Sequence, residues 1–275
     1  MGETVQMLSL LSNAYAGLVS LAGEAAEQTS SGWFVDLWNK LRDDFINNFI
    51  AKDRYTYLLK GLGITFEVTF FAALLGIFLG IVVALIRSSH DKLQDELRPG
   101  FLKGLLGFFN VLSNLYLTII RGTPVVVQLM IAYFIIFAAS NNKVLVAILA
   151  FGINSGAYVA EIVRSGIMSI DNGQFEAGRS LGFGYIKTMI YIIIPQAIKN
   201  VLPALANEFI VLIKETSVSG YVGLQDLTKG GDIIRSRTYS AFMPLIAVAA
   251  IYLVIVIFFS KLVTLLERRL RNSDR

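Results

Sequence analysis

The sequence predicts an all-α polytopic membrane protein with about five transmembrane helices, and three observations carry that prediction. Of its 275 residues 55% are hydrophobic and only 16% are charged, which is a poor composition for a soluble globule. The apolar residues gather into runs long enough to cross a hydrocarbon core of about 30 Å at 1.5 Å per residue. Five prolines and few long polar tracts leave little room for disorder.

The elements follow in order. Met7 to Gly23 is moderately apolar but has no basic residue before it, so it reads as something other than a secretory signal. In Trp33 to Ile50, apolar Phe34, Leu37, Trp38, Leu41, Phe45 and Phe49 recur every three or four residues, while Asp36, Lys40, Asp43, Asp44 and Asn47 take the other face. That spacing predicts a helix lying at the membrane interface. Residues 1–54 thus form an N-terminal extension, and 55–275 the membrane domain.

Leu62 to Ile86 is the clearest span, interrupted by the single charge Glu67. An amphipathic stretch from Phe101 to Leu112 precedes a second span, Ser113 to Ala139, which carries Arg121-Gly122-Thr123-Pro124 in its first third. Val144 to about Arg164, Ile198 to Ile213 and Phe242 to Leu266 complete the five. An odd number of spans puts the termini on opposite sides. The basic tail with Lys261, Arg268, Arg269, Arg271 and Arg275 adjoins the last span, which favours an outer N-terminus and a cytoplasmic C-terminus.

Several chemistries are excluded. With no cysteine and the one histidine His90, there is no thiolate site and no expectation of a metal or other cofactor. A net charge of +4 is too small to suggest nucleic acid. A phosphate-binding loop needs Gly-Lys, a dipeptide that occurs nowhere in the chain. Ser155 lacks a base within reach, since His90 falls in the loop after the first span, so a membrane hydrolase has nothing to work with.

The stretch from Gly166 to Ile194 is polar enough to be a loop, and its pattern is specific: Glu176-Ala177-Gly178, three residues, Gly182, nine residues, Ile192, one residue, Ile194-Pro195. This closely resembles the EAA loop of ABC importer permeases, with Gly178 in place of the second alanine and Ile194 in place of leucine. Arg121-Gly122-Thr123-Pro124 with Gln128, Asn154-Ser155-Gly156-Ala157-Tyr158 with Ala160-Glu161-Ile162-Val163-Arg164, and Asn207-Glu208-Phe209 with Lys214-Glu215-Thr216-Ser217 resemble the polar amino-acid branch of that family, the histidine and glutamine permease type. The resemblance covers roughly Tyr55 to Arg271. It implies a five- or six-helix fold, a second copy or a paralogue completing the pathway, two cytoplasmic ABC ATPase subunits, and an extracytoplasmic amino-acid-binding protein. The subunit itself is then a transport component of the cell membrane and not an enzyme.

Local physics fits the loop to a docking role. A helix beginning near Asn172 or Gln174 would place Glu176 in its first turn, where a carboxylate complements the helix dipole. Gly182 permits a sharp turn. Phe183 and Tyr185 are aromatic groups suited to fill a groove on another protein, and Pro195 closes the pattern. Charges inside spans need partners. Glu161 stands one helical turn from Arg164, the geometry of a local ion pair; Glu208 lies beside Asn207. A zwitterionic substrate must exchange hydration for fixed dipoles, and Gln128, Asn154, Ser155, Tyr158 and Glu161 are the polar groups expected along its path. Arg121 and Pro124 are expected to shape the inner end of the second span. The rival reading is an ion-coupled secondary amino-acid transporter working through Glu67, Glu161 or Glu208, which leaves the loop pattern without a role.

Overall fold

The computed structural model describes residues 32–94 and 99–272; the stretch from Met7 to Gly23 lies outside them. Residues Met1–Tyr55 and Thr56–Arg275 form two compact units. In the first, helix α1 over 32–45 runs into a wide π-type turn, Ile46–Ile50. Trp33, Phe34, Leu37, Trp38, Leu41 and Phe45 are exposed along α1, whereas Phe49 is buried. Lys52 and Asp53 then take positive φ, and the Arg54 guanidinium donates to the Asn47 carbonyl, closing the unit.

The second unit contains five helices long and apolar enough to cross a membrane, over Tyr55–Leu93, Phe101–Gly122, Lys143–Met168, Tyr185–Val222 and Phe242–Leu270. Its elements are α2 (Tyr55–Leu93), α3 (Phe101–Gly122), α4 (Val125–Ile131), α5 (Lys143–Met168), α6 (Asn172–Ser180), α7 (Tyr185–Thr188), α8 (Ile194–Glu215), α9 (Leu227–Thr238) and α10 (Phe242–Asn272).

The number of spans agrees with the sequence reading; their limits do not. The second apolar segment is broken: Phe101 to Leu112 is not a separate stretch but the first half of α3, and the segment ends at Gly122 before restarting at Val125. The cause is Pro124, which has no N–H to give the Ile120 carbonyl. The Gln128 amide supplies the missing donor, reaching Ile120 O at 2.7 Å, Thr123 O at 3.0 Å and Thr123 Oγ1 at 2.7 Å. The fourth segment is also longer than predicted, because α7, a π-type turn at Met189–Ile193 and α8 follow one another without a loop.

Helix α5 forms the centre of the unit. Residue pairs Gly166 with Val201 and Ser155 with Glu208 show α5 and α8 antiparallel, while Gly76 against Ser155 and Gly80 against Val159 show α2 and α5 parallel. The face of α2 that packs is a row of small residues: Gly61, Thr65, Thr69, Ala72, Gly76, Gly80, Ala84 and Ser88 are all buried. Between membrane helices the hydrophobic effect offers little, so close backbone approach and dispersion do the work that small residues allow. Two apolar clusters result. One gathers Val68, Leu129, Val146, Phe151 and Leu212; the other gathers Ala84, Val159, Val163, Phe175, Ile193 and Val201, and so ties α6 to the trunk.

Candidate functional site

Three polar groupings sit on this trunk. Asn154 and Ser155 on α5 are buried, and each reaches a different neighbour because successive helical residues point about 100° apart. Asn154 Nδ2 donates to Gln128 Oε1 at 2.9 Å, while Asn154 Oδ1 is buried and accepts from no group among the described residues. Ser155 Oγ donates to Glu208 Oε1 at 2.8 Å. Tyr116 OH donates to the Ile153 carbonyl at 2.6 Å, and a Cβ on Gly156 would lie 2.8 Å from that hydroxyl. Glu67 is exposed on α2.

The second grouping lies where α2 and α5 finish. Here the predicted Glu161–Arg164 pair is replaced by three cross-helix pairs. Glu161 Oε2 lies 2.8 Å from Arg121 Nη1, with Oε1 3.7 Å from Arg87 Nη1. Arg164 Nη2 meets Asp91 Oδ2 at 2.7 Å. An i,i+3 carboxylate and guanidinium on one helix gain a few tenths of a kcal/mol, so partners on neighbouring helices at the same depth displace them easily. Arg121 also stacks on the Tyr158 ring at 5.6 Å, and thus does more than shape a helix end. Arg87, Asn114, Leu117, Thr118, Arg121, Gly122, Tyr158 and Glu161 enclose a cleft of about 450 Å³. Of the five predicted path residues, Tyr158 and Glu161 line this cleft; Gln128 and Asn154 bond to one another, and Ser155 bonds to Glu208.

The third grouping is the loop. Asp171, not Glu176, caps α6: its Oδ1 accepts from Gly173 N at 2.6 Å, and Glu176 falls in the second turn, exposed. The carboxylate at the positive end of the helix is therefore supplied by the residue before it. At the other end Phe183 N donates to Gly178 O at 3.0 Å and Gly182 N to Arg179 O at 2.8 Å, the paired 6→1 and 5→2 bonds of a Schellman motif. Gly182 takes the φ of +77° that this motif demands, yet a Cβ there would meet nothing within 4 Å. The glycine is required by backbone conformation and not by crowding. Crowding applies at Gly178, where a Cβ would lie 2.6 Å from Thr188 Oγ1 and 2.7 Å from Thr188 Cγ2.

The aromatic groups are arranged differently from the prediction. Phe183 and Tyr185 are half-buried, and Tyr185 packs against the cluster around Phe175 and Met189. The exposed apolar surface of the loop is instead Leu181, Ile186, Ile190 and Tyr191, with Ala177 and Pro195 also exposed. The loop is held to the end of α2: Lys92 Nζ donates to Asn172 Oδ1 at 2.8 Å and lies 4.5 Å from the Phe175 ring centre. Arg87, Asp91, Lys92, Asn114 and Thr118 were not singled out by sequence. Arg87, Asp91 and Lys92 follow an apolar run as any solvated loop charge would, and only helix packing gives them partners.

Beyond α8, Asp226 caps α9, its carboxylate accepting from Thr228 N and Lys229 N at 3.1 Å each. Burial lifts its pKa to about 6 against the lowering effect of those bonds. Asp232, on the exposed side of α9, is held below the usual carboxylate range by contacts with Lys229 and Arg235.

The model of a family described as a binding-protein-dependent transport system inner membrane component matches residues 100–272. The chain is 36% identical to the arginine transport system permease protein ArtQ of Bacillus subtilis (strain 168) over 221 residues, 79% of this chain and 94% of the relative. It is 35% identical to the glutamine transport system permease protein GlnP of Escherichia coli (strain K12) over 210 residues, 74% of this chain and 90% of that one. Among solved structures, an amino acid ABC transporter crystallised with histidines superposes with a TM-score of 0.70 at 42% identity, covering 80% of this chain and 98% of the other. An inward-facing MetNI methionine ABC transporter superposes with a TM-score of 0.67 at 19% identity, a likeness of fold.

Proposed function

The chain belongs to the family of binding-protein-dependent transport system inner membrane components, and from that premise we propose how its parts serve as the permease subunit of an ATP-driven importer of polar amino acids. Residues 55–275 form the transport domain, and ATP is hydrolysed on separate subunits. The single observation that carries the coupling assignment is the exposed apolar surface of Leu181, Ile186, Ile190 and Tyr191, which begins at the C-terminal cap of α6 and continues along α7 and the π-type turn after it. A run of exposed aliphatic and aromatic groups between the loop helix and the start of the fourth span suits burial against a partner protein. Glu176, Ala177, Gly178, Gly182, Phe183 and Pro195 build and orient that surface; the partner it serves is the ATPase subunit on the cytoplasmic side. Orientation follows: the N-terminus lies outside and the C-terminus inside.

The path runs past Gln128, Asn154, Ser155, Tyr158 and Glu161, and a second permease copy or a paralogue completes the membrane assembly. An extracytoplasmic binding protein delivers the amino acid. Closure of the ATPase subunits moves α6 through its loop, and the bonds from α6 to the end of α2 carry the movement into the spans. The test is reconstitution in liposomes: this chain should confer substrate-stimulated hydrolysis on its partner ATPase. Uptake driven by an ion gradient with no ATPase present would overturn the proposal.

A further inference from the structure

We infer that the cleft between Arg87, Arg121 and Glu161 is a recognition site for the α-amino and α-carboxylate groups of a free amino acid, so that Arg87 and Arg121 determine specificity for the zwitterion. This rests on the reading of the chain as an amino-acid importer. The argument starts from a count of charges. Two guanidinium groups face one carboxylate, which leaves the cleft one positive charge in surplus. Glu161 pairs closely with Arg121, whereas the Arg87 contact at 3.7 Å is too long for a hydrogen bond. Arg87 thus has donors to spare, and a guanidinium presents a planar fork matched to a carboxylate.

Glu161 and Arg121 have side chains about two-fifths exposed, and the cleft they share holds about 450 Å³, ample for an amino acid. An internal pair in contact with water binds its partners weakly. A zwitterion brings one charge of each sign and can therefore replace that pair without leaving either side chain unpaired: its carboxylate on Arg121 and Arg87, its ammonium on Glu161. Asn114 and Thr118 add neutral hydrogen-bonding groups, and Tyr158 with Leu117 gives an apolar wall. An anion alone, such as a lipid phosphate, would satisfy the arginines but would be repelled by the carboxylate at the centre of the cleft. The site recognises what all α-amino acids share and leaves side-chain choice to other groups.

The experiment is equilibrium binding of radiolabelled L-arginine and L-glutamine to the permease–ATPase complex in lipid nanodiscs, with L-argininamide as competitor. Wild type should prefer the free acid to the amide by more than tenfold. R121Q should weaken binding tenfold or more and bring the acid-to-amide ratio to within twofold of one. R87Q, which removes no hydrogen bond from Glu161, should shift the ratio the same way while leaving the fold intact, so a misfolded R121Q would not spare the inference. Equal weakening for acid and amide would show a merely structural ion pair and overturn it, as would unchanged binding in both variants. Retention of anionic phospholipid by wild type but not by R121Q, with amino-acid binding unaltered, would also overturn it and assign the cleft to lipid. Those outcomes leave the importer reading standing, whereas a wild-type complex that neither binds nor transports any amino acid would remove both.

Discussion

Arg164 pairs with Asp91 of α2 at 2.7 Å and not with Glu161, one turn back on its own helix. With Lys92 bonded to Asn172 and lying over Phe175, the last turn of α2 thus fastens both to the end of α5 and to the start of the loop helix.

Both side chains of the Asp91–Arg164 pair are about one-third exposed, so the pair adds no more than about 1 kcal/mol to stability. Its loss should be felt in coupling. D91N should leave expression and thermal stability close to wild type while reducing substrate-stimulated ATP hydrolysis in proteoliposomes several-fold. The exchange D91R/R164D should recover most of that loss. Failure of the exchange, with both single variants impaired, would argue against the pair as the linking contact.

Gly182→Asp tests the loop as the coupling element. The +77° φ is strained for a side-chain-bearing residue, and the Schellman bonds to Gly178 and Arg179 would weaken by about 1 kcal/mol. Open space around the position means the spans are untouched. The variant should insert at wild-type levels yet fail to retain the ATPase on co-purification; wild-type transport rates would count against the loop.

Gly178→Ala restores the alanine of the family pattern, but here it should harm. The new methyl would press on Thr188, a cost of about 1–3 kcal/mol. Thr188→Ala removes the obstructing Oγ1 and Cγ2, so the double variant should regain most of the melting temperature lost by G178A. Additive losses in this cycle would refute the contact.

Asp226 gives a pH dependence of definite sign. Its folded-state pKa of about 6 exceeds the ordinary 3.8, so folding favours the protonated form. The penalty is absent below about pH 4, grows as pH rises, and is complete above the folded-state value; at neutral pH it is on the order of 1–3 kcal/mol. Asn caps helices about as well as Asp. D226N should therefore raise the melting temperature at pH 7.5 by a few degrees and give no gain near pH 4.

Orientation can be read directly because the chain has no cysteine. Ser180 and Asn141 are both exposed. Neighbouring Asn142 is less suitable, since its side chain caps α5 by accepting from Leu145 N. In intact cells, a cysteine at 180 should resist impermeant thiol reagents and one at 141 should react; the opposite pattern would invert the topology and remove the cytoplasmic docking assignment.

The number of spans, the helix 172–180 and the turn at Gly182 were all legible in the sequence, because each depends on residues near one another in the chain. Apolar run length sets whether a segment can cross a bilayer, and a glycine after a short polar helix marks a left-handed cap. The break at Pro124 was legible in part: the proline was seen, while the role of Gln128 in relieving the orphaned Ile120 carbonyl needed the fold. The charges were the least legible. Sequence pairs Glu161 with Arg164 because it knows only separation along one helix. Which partner a charge takes depends on the rotation and depth of neighbouring helices, and the small residues of α2 let that helix approach α5 closely enough for Arg87 and Asp91 to reach Glu161 and Arg164. Local chemistry determined what the elements are; close packing between distant segments decided which charged groups meet.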